Sequence, residues 1–300
     1  MRASDCLAML RPLQWSKNAL TLVPVVAAGR WAEAASWRAG ACAFVAFSLA
    51  ASAGYVLNDL KDAPHDALHP SKRQRPIAAG RIPVPVAWLA AALLVAAAIG
   101  ATWPAGAGLT WVVFAYLAAT ILYTTMLKQY FLADAITLAA LFTLRIVGGC
   151  AALELKPSIW LLSVSMFVFF SLALTKRYRE LQLASAAPGR PASSRDYSVK
   201  DMDLVKILGL CSATVAVLVV ALYLESARAL SGYREASWLW FACPVIWYWL
   251  IRIWSKCDRG ELDDDPVLFA LRDRGSWVCL GAVAACWAAA IAGVPGIIGP

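Results

Sequence analysis

The chain has 300 residues, 61% of them hydrophobic and only 15% charged, a balance that excludes an ordinary soluble domain. Repeated apolar runs of about twenty residues fit an all-α, polytopic membrane protein instead. A net charge of +8 would suit a nucleic-acid partner, but the positive residues lie between apolar runs, which argues for the membrane and against nucleic acid.

In chain order, a charged lead with Arg2, Arg11 and Lys17 precedes a first predicted span at about 14–31. That lead is too long, and too broken by Pro12, for a cleaved signal peptide. The span starts polar, so Lys17 and Asn18 sit at head-group level or face a cavity. A second span, about 36–57, delivers the chain into an acidic stretch at 58–81. The third and fourth, about 84–103 and 106–127, flank a turn at 104–108. Lys128 and Gln129 separate the fourth from a fifth at 130–152, and a sixth follows at 158–174. The longest polar segment is 175–206, with APGRPASS at its centre. Spans at 207–224, 238–254 and 277–298 complete nine, in a single domain covering 1–300.

Nine alternating spans place the amino terminus and the loops after spans two, four, six and eight on one side. Counting Lys17 and Arg252 at the span ends, these carry 21 of the 27 lysines and arginines. Positive residues stay cytoplasmic, so the amino terminus and the acidic stretch face the cytoplasm of a cell (inner) membrane, and the carboxyl terminus lies outside. The eight cysteines form no CxxC pair and fall mostly in apolar runs, where they serve as small packing residues rather than a disulfide framework or metal cluster.

The acidic stretch reads NDLKDAPHDALHPSKRQRPIAAGRI. Asp59, Asp62 and Asp66, at spacings of three and four, share one face of a helix. Carboxylates clustered at a membrane boundary call for a cation. Hard oxygen ligands that leave room for water and phosphate oxygens suit Mg²⁺ better than zinc. Lys72, Arg73, Arg75 and Arg81 follow, as phosphate-holding groups. Acids and bases together suggest a magnesium–diphosphate site; the plainer alternative is a solvated loop. Pro64 predicts a kink or restart between Asp62 and Asp66, so the single face is safest for Asp59 and Asp62. His65 and His69 stand at helical spacing, but no cysteine is near and His69 runs into Pro70.

Tyr123 and Lys128 flank the tight turn after the fourth span, and Asp134 and Arg145 fall inside the fifth. Charges in an apolar run are costly unless they face a cavity or a partner; the alternative is that they only fix helix packing. Lys128 is placed to neutralise a diphosphate oxygen, and Asp134 to supply a second acidic ligand or bind a hydroxyl. Lys176, Arg177, Tyr178, Arg179 and Glu180, with Arg195 and Tyr197, form a basic, aromatic-bearing segment. Asp263–Asp265 with Arg272–Arg274 form another charged one. Either could close over a site or simply meet anionic lipid.

These residues resemble the UbiA superfamily of intramembrane prenyltransferases: NDLKDAPHD at Asn58–Asp66 is similar to its first aspartate-rich motif, NDxxDxxxD. RPLQWSKN at Arg11–Asn18, HPSKRQRPIAAGRI at His69–Ile82, YTTMLK at Tyr123–Lys128, KRYREL at Lys176–Leu181 and DDPVLFALRDR at Asp264–Arg274 resemble its decaprenyl-phosphate phosphoribosyltransferase branch. The resemblance implies a UbiA-like bundle and Mg²⁺-dependent transfer of 5-phosphoribose from phosphoribosyl diphosphate to a polyprenyl phosphate. It implies that Asn58, Asp59, Asp62 and Asp66 hold metal and diphosphate, while Tyr123 and Lys128 match the second polar site. The chain departs from the superfamily there, because Asp134 has no acidic partner at DxxxD spacing.

Breaking the anomeric bond to diphosphate builds negative charge on the leaving group, which Mg²⁺ on Asp59 and Asp62, with Lys128 and neighbouring arginines, would stabilise. Lys17, Asn18, Arg73, Arg75, Tyr123, Asp134, Arg145, Lys176, Arg177, Arg195 and Tyr197 are the candidate substrate contacts. The lipid phosphate acceptor and the diphosphate donor are the implied partners. The rivals are prenyl transfer from a prenyl diphosphate to an aromatic acceptor, using the same acids, and a transporter with Asp134 and Arg145 on an ion path. An odd span count and no visible internal repeat weigh against the transporter.

Overall fold

A computed structural model describes residues 3–68, 72–186, 196–226, 233–262 and 265–295. The chain divides into two compact units, Met1–Pro157 and Ser158–Pro300. Among the described residues every regular element is helical.

In the first unit, α1 (Ala3–Leu10) leads through a 3₁₀ stretch, Pro12–Leu22, into a short α2 (Val23–Ala27). The sequence predicts one span at 14–31; the chain winds more tightly, for local reasons. Arg11 takes a left-handed φ of 53° and Pro12 starts the stretch. The Thr21 hydroxyl donates to the Asn18 carbonyl at 2.8 Å, a local bond that competes with the α pattern. Pro24 then lacks the N–H that would extend a regular ladder.

The central element is α3 (Ala34–Asp66), against which the 3₁₀ stretch, α4 (Val84–Thr102), α5 (Gly106–Thr125) and α6 (Ala133–Ala152) all pack. Small residues allow this approach. A Cβ added at Gly54 would lie 2.6 Å from Thr120 Cγ2, and one at Gly148 would strike the Phe47 ring. Phe47 meets Tyr116 edge-on at 5.1 Å, inside a core that includes Ala43, Ala50, Leu109, Val113 and Leu141. A second core of Met9, Val56, Ile77, Ile82, Ala87 and Ala91 ties the segment between α3 and α4 to both helices. Pro64 does not restart α3. It sits two residues before the last helical residue, Asp66, where the donor it removes belongs to the final turn alone.

In the second unit, α7 (Ile159–Ser185) packs on α8 (Met202–Leu224) and on α9 (Ala242–Asp258), and α9 also meets α8 and α11 (Arg274–Ala292); α10 (Pro266–Arg272) is a short connector. Gly209 makes the closest approach possible: a Cβ there would lie 1.9 Å from Trp254 Cζ2. Trp254 Nε1 donates to Ser171 Oγ at 2.9 Å, and the Ser171 hydroxyl donates to the Gly209 carbonyl at 2.7 Å. Because α7 runs to Ser185, Lys176–Glu180 is helical, not the loop predicted from its charge.

Among the described residues seven stretches are long and apolar enough to cross a membrane, and the segment at 14–31 is not among them. One of the seven, Val84–Thr125, holds both α4 and α5, divided at Trp103–Ala105 and at Gly106, whose φ is 83°.

Candidate active site

The last turns of α3 bring Asn58, Asp59, Asp62 and Asp66 to one end of the first unit. Asp59 and Asp66 are buried, and three cations from three separate segments close over the acids. Arg11 Nη2 donates to both Asp59 oxygens, at 2.6 and 2.8 Å. Its guanidinium also stacks 5.0 Å from the Tyr55 ring centre, a favourable contact for a planar cation. Arg75 Nη1 donates to Asp59 Oδ1 at 3.1 Å and to Asp66 Oδ2 at 2.6 Å. Lys128 Nζ donates to Asp62 Oδ1 at 2.6 Å and to Asn58 Oδ1 at 3.2 Å. Asn58 Nδ2 completes the ring by donating to Asp62 Oδ2 at 3.0 Å. Three carboxylates thus face three cations.

Local structure aims each cation. Arg11 is turned by its left-handed backbone at the α1–3₁₀ junction. Arg75 follows the single 3₁₀ turn Lys72–Gln74 and is steadied by Arg81, which donates to Asp5 Oδ1 at 2.8 Å and to the Gln74 carbonyl at 2.7 Å. Lys128 lies in the turn Leu127–Gln129. Lys61 holds that end of α5 by donating to the Thr124 and Thr125 carbonyls at 2.9 and 2.8 Å, where the helix dipole favours a cation.

Of the predicted site residues, the structure gathers Asn58, Asp59, Asp62, Asp66, Arg75 and Lys128. Arg73 and His65 are exposed and Tyr123 is half-buried on α5; His69 lies outside the described residues. Arg11 opens the RPLQWSKN stretch but has no predicted role of its own, because its partner is 48 residues away.

Arg145 belongs to a different, deeper network. Its Nε donates to Asn18 Oδ1 at 2.7 Å, Nη1 to the Leu141 carbonyl at 2.6 Å and Nη2 to Tyr116 Oη at 2.9 Å. The rings of Tyr116 and Phe142 lie 4.9 and 5.2 Å from the guanidinium, and Lys17 stands 5.8 Å over Phe142. Asn18 in turn donates to Ser48 Oγ at 3.0 Å. Ser48 precedes Asp59 on α3 by about three turns, roughly 16 Å of helix. This network therefore fixes the 3₁₀ stretch, α3, α5 and α6 together, away from the acids. Asp134, fully buried at the start of α6, is a similar distance from Arg145 along that helix.

In the second unit, Arg177 is buried and pairs with Glu180 one turn on. The Tyr178 hydroxyl donates to Asp258 Oδ1 at 2.5 Å, and Lys206 Nζ meets the same oxygen at 2.8 Å. Lys176 lies on α7, Tyr197 is buried, and Arg195 lies outside the described residues. Asp265 caps α10 through the Val267 and Leu268 N–H groups. Asp273 caps α11 and binds Arg252 at 2.5 and 3.0 Å; the Arg252 hydrogen bond holds its carboxyl down to about 2. These last acids work as helix caps; Asp263 and Asp264 lie outside the described residues.

Among the described residues no three His, Cys, Asp or Glu side chains converge as a ready-made metal cluster. A hard cation that keeps water and phosphate ligands needs only one or two carboxylates. The oxygen donors at the end of α3 fit that kind of cation.

The chain is similar to several known proteins. It is 40% identical over 277 residues to the uncharacterized protein y4nM of Sinorhizobium fredii, covering 91% of this chain but spanning only 53% of that protein's length. It is 30% identical to the nodulation protein NoeC of Azorhizobium caulinodans, over 90% of this chain and 88% of that one. It is 32% identical to a decaprenyl-phosphate phosphoribosyltransferase of Mycolicibacterium smegmatis, over 90% of this chain and 87% of that one. Its fold matches a UbiA homologue from Archaeoglobus fulgidus, solved bound to GPP and Mg²⁺, with a TM-score of 0.68 at 13% identity, over 95% of this chain and 99% of that one. With the model of the UbiA prenyltransferase family matching residues 20–280, this all-helical, integral membrane chain belongs to that family of transferases.

Proposed function

We propose that the protein transfers a 5-phosphoribosyl group from phosphoribosyl diphosphate to a polyprenyl phosphate of the decaprenyl type. The bond from the anomeric carbon to diphosphate breaks, a bond from that carbon to a lipid phosphate oxygen forms, and diphosphate leaves. The observation that carries this reading is the cluster of three carboxylates and three cations at the end of α3. Similarity to the mycobacterial phosphoribosyltransferase over nearly its whole length favours the sugar donor.

Asp59, Asp62 and Asp66, with Asn58, would hold Mg²⁺, whose charge would offset that of the leaving diphosphate. Lys128 lies beside these acids and would meet the same oxygens. A lipid phosphate is already an anion, so the site is asked to position it rather than to remove a proton.

We further read nine membrane crossings in one functional domain. The 3₁₀ stretch and α2 together rise about 30 Å, close to the hydrocarbon thickness. At 19 and 20 residues, α4 and α5 are each long enough to cross separately. The amino terminus and the end of α3 would then be cytoplasmic and the carboxyl terminus outside.

The second reading is prenyl transfer to an aromatic acceptor, its donor class supported by the homologue solved with GPP and Mg²⁺. Purified protein given labelled phosphoribosyl diphosphate, polyprenyl phosphate and Mg²⁺ decides between them. A labelled lipid, abolished by chelation, is expected. Indifference to the sugar donor, with prenylation of an aromatic acid from a prenyl diphosphate, would put the second reading in its place.

A further inference from the structure

We infer that Arg11, Arg75 and Lys128 are exchangeable counter-ions. They neutralise Asp59, Asp62 and Asp66 before the donor arrives, then turn to its phosphate oxygens as a divalent cation takes the carboxylates. The inference rests on the diphosphate site proposed above and adds an order to its assembly.

The geometry sets cations between the acids and solvent. The Arg11 and Arg75 side chains are each 26% exposed, while the carboxylates of Asp59 and Asp66 beneath them are 4% and 6% exposed. An incoming metal ion meets guanidinium before carboxylate. The charges within the cluster also cancel, three against three. A lone divalent cation would add to a neutral group and strand two arginines and a lysine without partners in a part-buried setting. Inorganic diphosphate removes both obstacles. Its oxygens match guanidinium geometry, and its charge balances the metal.

Each cation is also built to let go. Arg11 can pivot on its stacking against Tyr55, 5.0 Å away, without losing that contact. Arg75 holds two acids through a single nitrogen, so the rest of its fork is not engaged with either of them. Lys128 holds the most open of the three acids, Asp62, which is 31% exposed. The consequence is mutual dependence: metal binds weakly alone and tightly with diphosphate, and the two affinities are linked reciprocally.

The test titrates Mn²⁺, read by its electron paramagnetic resonance signal, into full-length protein in nanodiscs, with and without inorganic diphosphate at matched free Mn²⁺. For the native protein we expect weak binding alone and at least about a tenfold gain with diphosphate. Arg75→Gln should bind Mn²⁺ alone about tenfold tighter than the native protein, while its gain from diphosphate shrinks. Arg11→Gln serves as a second variant, so a folding failure of one leaves the measurement intact. If native protein binds Mn²⁺ with diphosphate but neither variant binds it better alone, the exchange is wrong and the site stands. If native protein binds no Mn²⁺ even with diphosphate, the site itself is misplaced and the exchange goes with it.

Discussion

Arg75 joins Asp59 to Asp66 through one nitrogen, 3.1 Å from the first carboxylate and 2.6 Å from the second. The two acids are seven residues, or about two helical turns, apart. A single guanidinium nitrogen can bridge them only because α3 keeps its face through Pro64. The proline therefore does not separate Asp66 from the other acids.

If Pro64 turned the Asp66 carboxylate away, Asp66→Asn would be milder than the other two acid substitutions. The structure changes that expectation. Asp59→Asn, Asp62→Asn and Asp66→Asn should each lower kcat/KM by about a hundredfold or more, since each removes charge and keeps shape. Asp62→Asn, at the open pair, should leave Tm nearly unchanged, whereas Asp59→Asn and Asp66→Asn also strip part-buried arginines of their counter-charge and should lower it. Near-normal turnover with unchanged magnesium dependence in the Asp59 and Asp62 variants would move the diphosphate site elsewhere.

The acids were legible because charge is rare in this chain and the three-and-four spacing survives folding. Arg11 was not, since nothing local in the sequence ties it to a partner 48 residues on. The extent of α7 was hidden for another reason. Lys176–Glu180 carries the charge of a loop, yet Arg177 and Glu180 pair at helical spacing, which lets the helix continue. The 3₁₀ stretch was hidden too: its winding follows from Thr21 bonding the Asn18 carbonyl, a choice that hydropathy does not record.

Two glycines set helix distances and should tolerate no side chain. A Cβ at Gly149 would lie 2.1 Å from the Thr21 carbonyl oxygen, and one at Gly209 would lie 1.9 Å from the Trp254 ring. Gly149→Ala and Gly209→Ala should each cost about 1–3 kcal/mol or more, read as a lowered Tm in detergent. Gly100 has nothing within 4 Å of an added Cβ. Gly100→Ala should therefore gain roughly 0.5–1 kcal/mol. Equal behaviour of the three variants would contradict these packing distances.

Arg145 should act through stability. Its three hydrogen-bond partners, Asn18, Leu141 and Tyr116, come from three different elements. A lysine has one nitrogen and cannot reach all three. Arg145→Lys should lose about 1–3 kcal/mol and lower Tm, while kcat/KM of the folded fraction stays close to native. A stable variant that has lost turnover would instead make Arg145 a substrate contact.

Lys128 should act through the transition state. Its Nζ lies 2.6 Å from Asp62 Oδ1 and 3.2 Å from Asn58 Oδ1, at the only one of the three acids that is substantially open to solvent. Lys128 is itself buried while Asp62 is open, and a glutamine keeps a donor beside Asp62 and Asn58, so Lys128→Gln should lower Tm only modestly. Negative charge builds on the leaving diphosphate as its bond to the sugar breaks, and a cation in contact with those oxygens is worth most at that moment. Lys128→Gln is therefore expected to lower kcat by about a hundredfold while KM for the donor changes far less. Lys128→Arg keeps the charge and should recover part of the loss. A raised KM with native kcat would mean that the lysine grips donor and transition state equally. A fall in Tm matching the fall in rate would make it a residue that only positions Asp62.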